Sequence, residues 1–192
     1  MSMHQSIVKE LGSVGFPVFI GERVYMRRFT KNDGLPLDLA RWQPTVDAML
    51  RDVDATGPVF IMIDQAEVRA GASHRRPGVH VDGYWLEELG RHGGGHHGKA
   101  SGDGWDVFDP SDDEAIVLAS DVQGCVAYVG PWSGEVGHGG ACDDVDFRGT
   151  ERVLMNPRTV YAGNVAMLHE SLPVRETTRR TLVRLNVPGW SP

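Results

Sequence analysis

The sequence predicts a mainly β fold, a barrel or jelly roll with helical support. Short runs rich in Val, Ile and Phe recur along its 192 residues, separated by turns that contain Gly or Pro. A sustained helical period of apolar residues runs only through 35–53. Two Gly-rich segments, 90–113 and 130–150, read as long loops within one domain, 1–192. Residues 1–56 read as N-terminal helix and strand support, and 57–187 as the β core.

Taken in order, residues 7–20 predict a short helix, a Gly break and an extended 16–20 segment. Residues 22–29 alternate as a strand, with Val24 and Met26 on one face. In 35–53, Leu37, Ala40, Trp42, Val46, Met49, Leu50 and Val53 recur at three-to-four spacing. Pro44 splits that helix and sits in the first turn of its second piece. Residues 59–68 are strongly β and are bounded by Gly57-Pro58 and Gly71. The 73–83 segment reads as short and extended, with Gly78 and Gly83 bracketing His80-Val81-Asp82. Tyr84 and Trp85 follow at once, either as part of a substrate pocket or as a half-buried aromatic pair.

Seven glycines and little apolar periodicity mark 90–113 as a solvated loop, best read as a lid over the site. Metal binding by His92, His96 and His97 is the weaker reading, because Gly93-Gly94-Gly95 maximises the entropy of fixing any geometry there. Residues 114–121 and 125–129 predict two strands joined as a hairpin by Val122-Gln123-Gly124. In the 131–145 loop, His138 has no carboxylate two residues away and is set aside as a ligand. Short strands at 152–155 and 159–161 and a turn at Gly163-Asn164 lead to His169. In 178–187, Arg179, Thr181, Val183 and Leu185 share one face, and Arg180, Leu182, Arg184 and Asn186 the other.

Composition narrows the function classes. Hydrophobic residues at 41% and charged residues at 23% are ordinary globular values. A formal net charge of −7, with acidic clusters in 103–121 and 143–151, disfavours broad nucleic-acid binding. A local basic groove around Arg175, Arg179, Arg180 and Arg184 remains compatible with it. Two cysteines, Cys125 and Cys142, make no disulfide scaffold and read as reduced thiols. With neither a signal-peptide pattern nor an apolar run approaching about 18 residues, the expected location is cytoplasmic, off the membrane. Pro188-Gly189-Trp190 reads as an exposed end that could pack on a partner, a second copy in a homodimer among the candidates, and the oligomeric state is left open.

The chemistry-bearing stretch is His80-Val81-Asp82, whose period-2 geometry turns the imidazole and the carboxylate to one face. With His169 they make two imidazoles and one carboxylate, the set that occupies one side of a non-haem Fe(II) centre and leaves three positions open.

This pattern resembles the Fe(II)/2-oxoglutarate-dependent dioxygenases, prolyl-hydroxylase-like in their H-x-D, distal His and basic residue about ten positions on. His169 to Arg179 is a step of ten, and Arg179-Arg180-Thr181 is similar to the family's R-x-S. Pro173-Val174 falls where many members carry Pro-Val. The resemblance spans roughly 57–187 and implies a double-stranded β-helix of the cupin type. It further implies that His80, Asp82 and His169 are the metal ligands and catalytic centre. Arg179 and Thr181 would hold the distal carboxylate of 2-oxoglutarate, with Arg180 as the competitor one residue out of step. Dioxygen would be the co-substrate, and succinate and carbon dioxide would be released. Asp82 implies hydroxylation, since relatives that halogenate carry a small residue in its place. Glu170 would face solvent or back a ligand. The substrate, a small molecule or a peptide side chain, is left open.

Two other classes stay open at this point. One is a metal-dependent cupin enzyme that does not use 2-oxoglutarate, and the other is a non-catalytic β-barrel binding or structural protein. The Arg179/Thr181 register on an inward face separates them, because burying an unpaired guanidinium is costly in a barrel that has no anion to bind.

Overall fold

Strand-forming residues in this chain alternate between two apolar surfaces, and the computed structural model shows what each surface covers. It describes residues 3–83, 85–87, 91–92, 97–98, 102–103, 113–137 and 140–192. Among these the strands are β1 (Met3–Ser6), β2 (Val8–Ser13), β3 (Arg23–Thr30), β4 (Pro58–Val68), β5 (Trp85–Leu86), β6 (Arg91–His92) and β7 (His97–Gly98). They continue with β8 (Gly102–Asp103), β9 (Glu114–Ser120), β10 (Cys125–Ser133), β11 (Glu151–Leu154), β12 (Thr159–Asn164), β13 (Leu168–Ser171) and β14 (Thr178–Pro188). A large antiparallel sheet runs β2-β12-β9-β14-β4-β3, and a smaller one joins β1, β11 and β13 to β10. The sheets meet through Ile116 and Leu118 of β9 and Ala127 of β10, with Tyr161 and Met167, in the manner of a β-sandwich.

The opposite face of the large sheet carries the helical layer. A 3-10 turn, Leu37–Trp42, runs into α1 (Gln43–Met49), with Pro44 in its first turn where a missing N–H costs nothing. Trp42, Val46 and Met49 bury against Val59, Ile61 and Ile63 of β4, Val117 of β9 and Val183 and Leu185 of β14. That cluster is the main core, and cutting Met49 back to Ala would cost about 2–5 kcal/mol. No helix among the described residues is long and apolar enough to cross a membrane.

Several expectations are corrected. The helix expected within 7–20 is strand β2, which pairs with β12; tertiary pairing overrides the helical propensity of Lys-Glu-Leu. Residues 16–20 form no strand. Val24 and Met26 do not share a face. The ladder passes from Val24↔Ile63 to Arg27↔Ile61, and Met26 takes φ 47°. This bulge flips the alternation, so Val24 meets the main core while Met26 packs on Phe60, Met62 and Leu182. β9 and β10 form no hairpin: β9 pairs with β12 and β14, β10 with strands of the other sheet, and 121–124 is a corner between sheets. β10 runs on to Ser133, into what reads as loop. Gly163-Asn164 ends β12, and the turn follows at 165–166. Trp190 packs on the main core of its own chain. Cys125 and Cys142 are both unpaired.

Candidate metal centre and its cavity

Two backbone pairings converge on His80, one on each edge. The 79–81 segment bridges β13 through His80 and His169, each donating its N–H to the other's carbonyl, at 2.9 and 3.0 Å. Directly opposed residues of an antiparallel pair project on the same side, so this one pairing aims both imidazoles together. The far edge of 79–81 is tied by Val81 N–H to Gly140 O and Cys142 N–H to Val79 O. Alternation then sends Val81 into the apolar cluster of Trp132 and Leu168, and returns Asp82 to the imidazoles' side.

One ligand atom from each of His80, Asp82 and His169 lies within 4.8 Å of the others, and the group could hold a metal ion. The two rings sit 4.3 Å apart between centroids. His80 Nδ1 is 2.8 Å from Gly78 O, and His169 Nδ1 is 3.1 Å from Met167 O. Each Nδ1–H therefore donates to the carbonyl two residues upstream, which leaves the Nε2 lone pair for the site. Burial, reinforced by the charge His169 can carry, pulls His80 down to about 3, so its imidazole is neutral near pH 7, the form that binds metals. Asp82 Oδ2 lies 3.5 Å from His169 Nε2 and accepts a hydrogen bond from Arg184 Nη1.

The cavity in front of these ligands encloses about 230 Å³ and lies between the sheets. Its floor is the inner face of the large sheet, laid out in rows by register. Met62, Arg184 and Leu118 form one row, Asp64, Leu182 and Ser120 the next, and Ala66 with Arg180 the last. From the small sheet, Cys125 and Ser171, themselves cross-strand partners, line the wall beside His169. Burial pushes the Cys125 thiol up to about 11, so it stays protonated and acts as a neutral wall.

The structure brings His80, Asp82 and His169 together but places Arg179 and Thr181 elsewhere. Arg179 is exposed and lies over the Phe19 ring, 5.4 Å from its centroid. The Thr181 hydroxyl accepts from Gln65 Nε2 at 3.3 Å, on the helix side of the sheet. The expected register on β14 is thus corrected by one residue. Val183, Leu185 and Val187 are needed to cover the helical layer, so their face turns outward and Arg180 turns inward. Arg180 is 1% exposed and lines the cavity. Its Nε donates to Ser120 Oγ at 3.0 Å, while Nη1 has no hydrogen-bond partner among the described residues. Burial lowers the Arg180 pKa, which nearby Cys125, Asp121 and Asp64 offset in part. A Cβ on Gly124 would lie 2.7 Å from Arg180 Nη1, so glycine there makes room for the guanidinium.

Trp85 stands behind the cavity, packed on the cluster of Met26, Phe60, Met62 and Leu182, with its backbone N–H donating to Glu114 Oε1 at 2.9 Å. Glu170 points away from the ligands and accepts from the Tyr128 hydroxyl at 2.6 Å. Tyr84, His96 and His138 lie outside the described residues, as does most of the 90–113 stretch read as a lid. Ser120, Arg75, Arg76 and Gly124 were not singled out from the sequence. The Arg180/Arg184 spacing of four puts both on the face of Leu182 and is one sequence signal for the inward face. Searches against protein-family models, curated proteins and solved structures returned no match to this chain.

Proposed function

We propose that this protein is an Fe(II)- and 2-oxoglutarate-dependent oxygenase that hydroxylates a C–H bond, built on a jelly-roll, double-stranded β-helix core. The observation that carries this reading is a single cavity holding both a two-His, one-carboxylate group and the buried, incompletely bonded guanidinium of Arg180. A buried arginine without a carboxylate partner is costly, and an anionic ligand offsets that cost.

The donor set fits the metal. His80 and His169 would offer Nε2, their tautomers held by Gly78 O and Met167 O, and Asp82 would offer a carboxylate oxygen that Arg184 orients. When bound, iron with its co-substrate supplies the oxidising power to break a C–H bond. The balance is substrate, dioxygen and 2-oxoglutarate giving hydroxylated substrate, succinate and carbon dioxide. The chain's own part is to bind and exclude water. Arg180, not Arg179, receives the distal carboxylate of 2-oxoglutarate, held by Ser120 Oγ where the family pattern suggested Thr181. Met62, Leu118 and Leu182 give the floor its apolar character.

Anaerobic titration of the Fe(II)-loaded protein with 2-oxoglutarate, following the visible charge-transfer band, tests this. The band should appear in wild type and in Arg179→Ala, weaken strongly in Arg180→Ala and vanish in His169→Ala. No band in iron-replete wild type overturns the co-substrate assignment.

A further inference from the structure

The chain is acidic overall, with a net charge of −7, yet its cavity is not. The described residues lining it include four guanidinium groups, Arg75, Arg76, Arg180 and Arg184, against the carboxylate of Asp82 and that of Asp64, which pairs with Arg75 on the same face. Like charges gathered around a small, partly desolvated space repel one another, and a bound anion relieves that repulsion. If the reading above holds, on which this inference rests, Asp82 engages Arg184 and 2-oxoglutarate engages Arg180. Arg75 and Arg76 are the exposed pair and stand at the mouth.

These two arginines are carried on an anchored segment. Ser73 bridges Pro173, Val174 N–H donates to Ala72 O at 3.0 Å, and Arg75 N–H donates to Ser171 Oγ at 3.2 Å. Asp64 Oδ2 accepts from Arg75 Nη1 at 3.0 Å, which fixes one edge of that guanidinium while its side chain stays 43% exposed. Behind them the floor is apolar at Met62, Leu118 and Leu182.

We propose that the substrate is a small aliphatic anion, its carboxylate or phosphate received by Arg75 and Arg76 at the mouth and its carbon chain lying over Met62 and Leu182 towards the ligand group. Guanidinium pairs recognise both oxyanions through forked hydrogen bonds.

Calorimetry on Mn(II)-loaded protein saturated with 2-oxoglutarate tests this with hexanoate, hexyl phosphate and neutral hexanol. One of the anions should bind at least about tenfold more tightly than hexanol, and the better one identifies the headgroup. In the double variant R75Q/R76Q the preference should fall to about twofold while 2-oxoglutarate affinity is kept. Equal binding of hexanol, no binding of either anion, or a preference that survives the double substitution overturns the proposal. Binding of 2-oxoglutarate is measured first in the same cell. If it fails, the anions are titrated against the Mn(II) protein alone, and a preference lost in R75Q/R76Q then supports the anion site while the co-substrate reading falls.

Discussion

On one face of β14, Thr181, Val183, Leu185 and Val187 turn to the helical layer, and on the other Arg180, Leu182 and Arg184 line the cavity. Both faces are almost completely buried, so burial does not distinguish them. Their chemistry does. The aliphatic side chains facing α1 each gain roughly 1.5–3 kcal/mol by leaving water. Two buried guanidinium groups on the other side lose hydration, and Asp82 and Ser120 are among the groups that compensate them. Stability is concentrated on the first face and binding on the second, although the residues of the two alternate along one strand.

Substituting neighbours tests that division most strongly. Arg180→Met should lower affinity for 2-oxoglutarate by on the order of a hundredfold. Loss of charge-assisted hydrogen bonds, at about 1.5–3 kcal/mol each, accounts for that size. The same variant should melt no lower than wild type, since replacing a buried, incompletely bonded charge by an apolar chain removes its desolvation cost. Arg179→Met, one residue away, should change affinity by less than about twofold. Equal losses in the two variants would show that the face assignment is wrong.

A gentler change pushes the same guanidinium without removing it. Gly124→Ala places a methyl 2.7 Å from Arg180 Nη1 and 2.9 Å from Cζ, so the side chain must shift into the cavity. Affinity for 2-oxoglutarate should drop by roughly tenfold, about 1.4 kcal/mol. Added to Arg180→Met, the same substitution should lower affinity no further, because the group that the methyl displaces is gone. Additive losses in the double variant would place the effect of Gly124 elsewhere.

How much of this was legible follows from where the signals are local. His80-Val81-Asp82 is readable because alternation over three residues settles which side chains share a side. Pro44 marks its helix boundary for a similarly local reason. The side of β14 that faces the cavity depends on what covers the other side, and that layer comes from residues more than a hundred positions earlier. Arg179-Arg180 offers two candidates, and the step of ten from His169 points to Arg179, whereas Arg180 is the one that lines the cavity. The signal that decides it is aliphatic: Val183, Leu185 and Val187 form the more continuous apolar stripe, which the 37–49 segment needs. β2 was misread for the same kind of reason, since Lys-Glu-Leu favours a helix until β12 supplies an edge. The corner at 121–124 looks like a hairpin turn because a change of sheet leaves no mark in the turn residues themselves.

On the helix side, Thr181→Val asks whether the outward face is purely structural. The hydroxyl accepts from Gln65, whose Oε1 in turn accepts the N–H groups of Ile20 and Glu22 at 3.0 and 3.2 Å. Removing it should cost about 1 kcal/mol, a fall in Tm of about 2–4 °C for a chain of this size. Binding of metal and of 2-oxoglutarate should stay as in wild type. A weakened ligand affinity at unchanged Tm would return Thr181 to the site.

The smallest expected effect concerns acid. Asp64 sits on the cavity side of β4, where burial raises its pKa, but hydrogen bonds and charge from His74 and Arg75 outweigh burial and hold it below the ordinary 3.8. A carboxyl whose folded pKa is lower than its unfolded one binds fewer protons in the folded state. Its contribution is therefore complete above about pH 4 and is lost as pH falls through the folded value. Melting curves between pH 2 and 7 should show wild type more stable than Asp64→Asn near neutrality, with the two converging in acid. The gap should be modest, because the burial that strengthens the pairing also opposes the charge. A gap that stays constant down to pH 2 would mean that Asp64 acts by packing alone. The polar face would then depend on Arg184–Asp82 and Arg180–Ser120, with no contribution from Arg75–Asp64 to holding its charge in place.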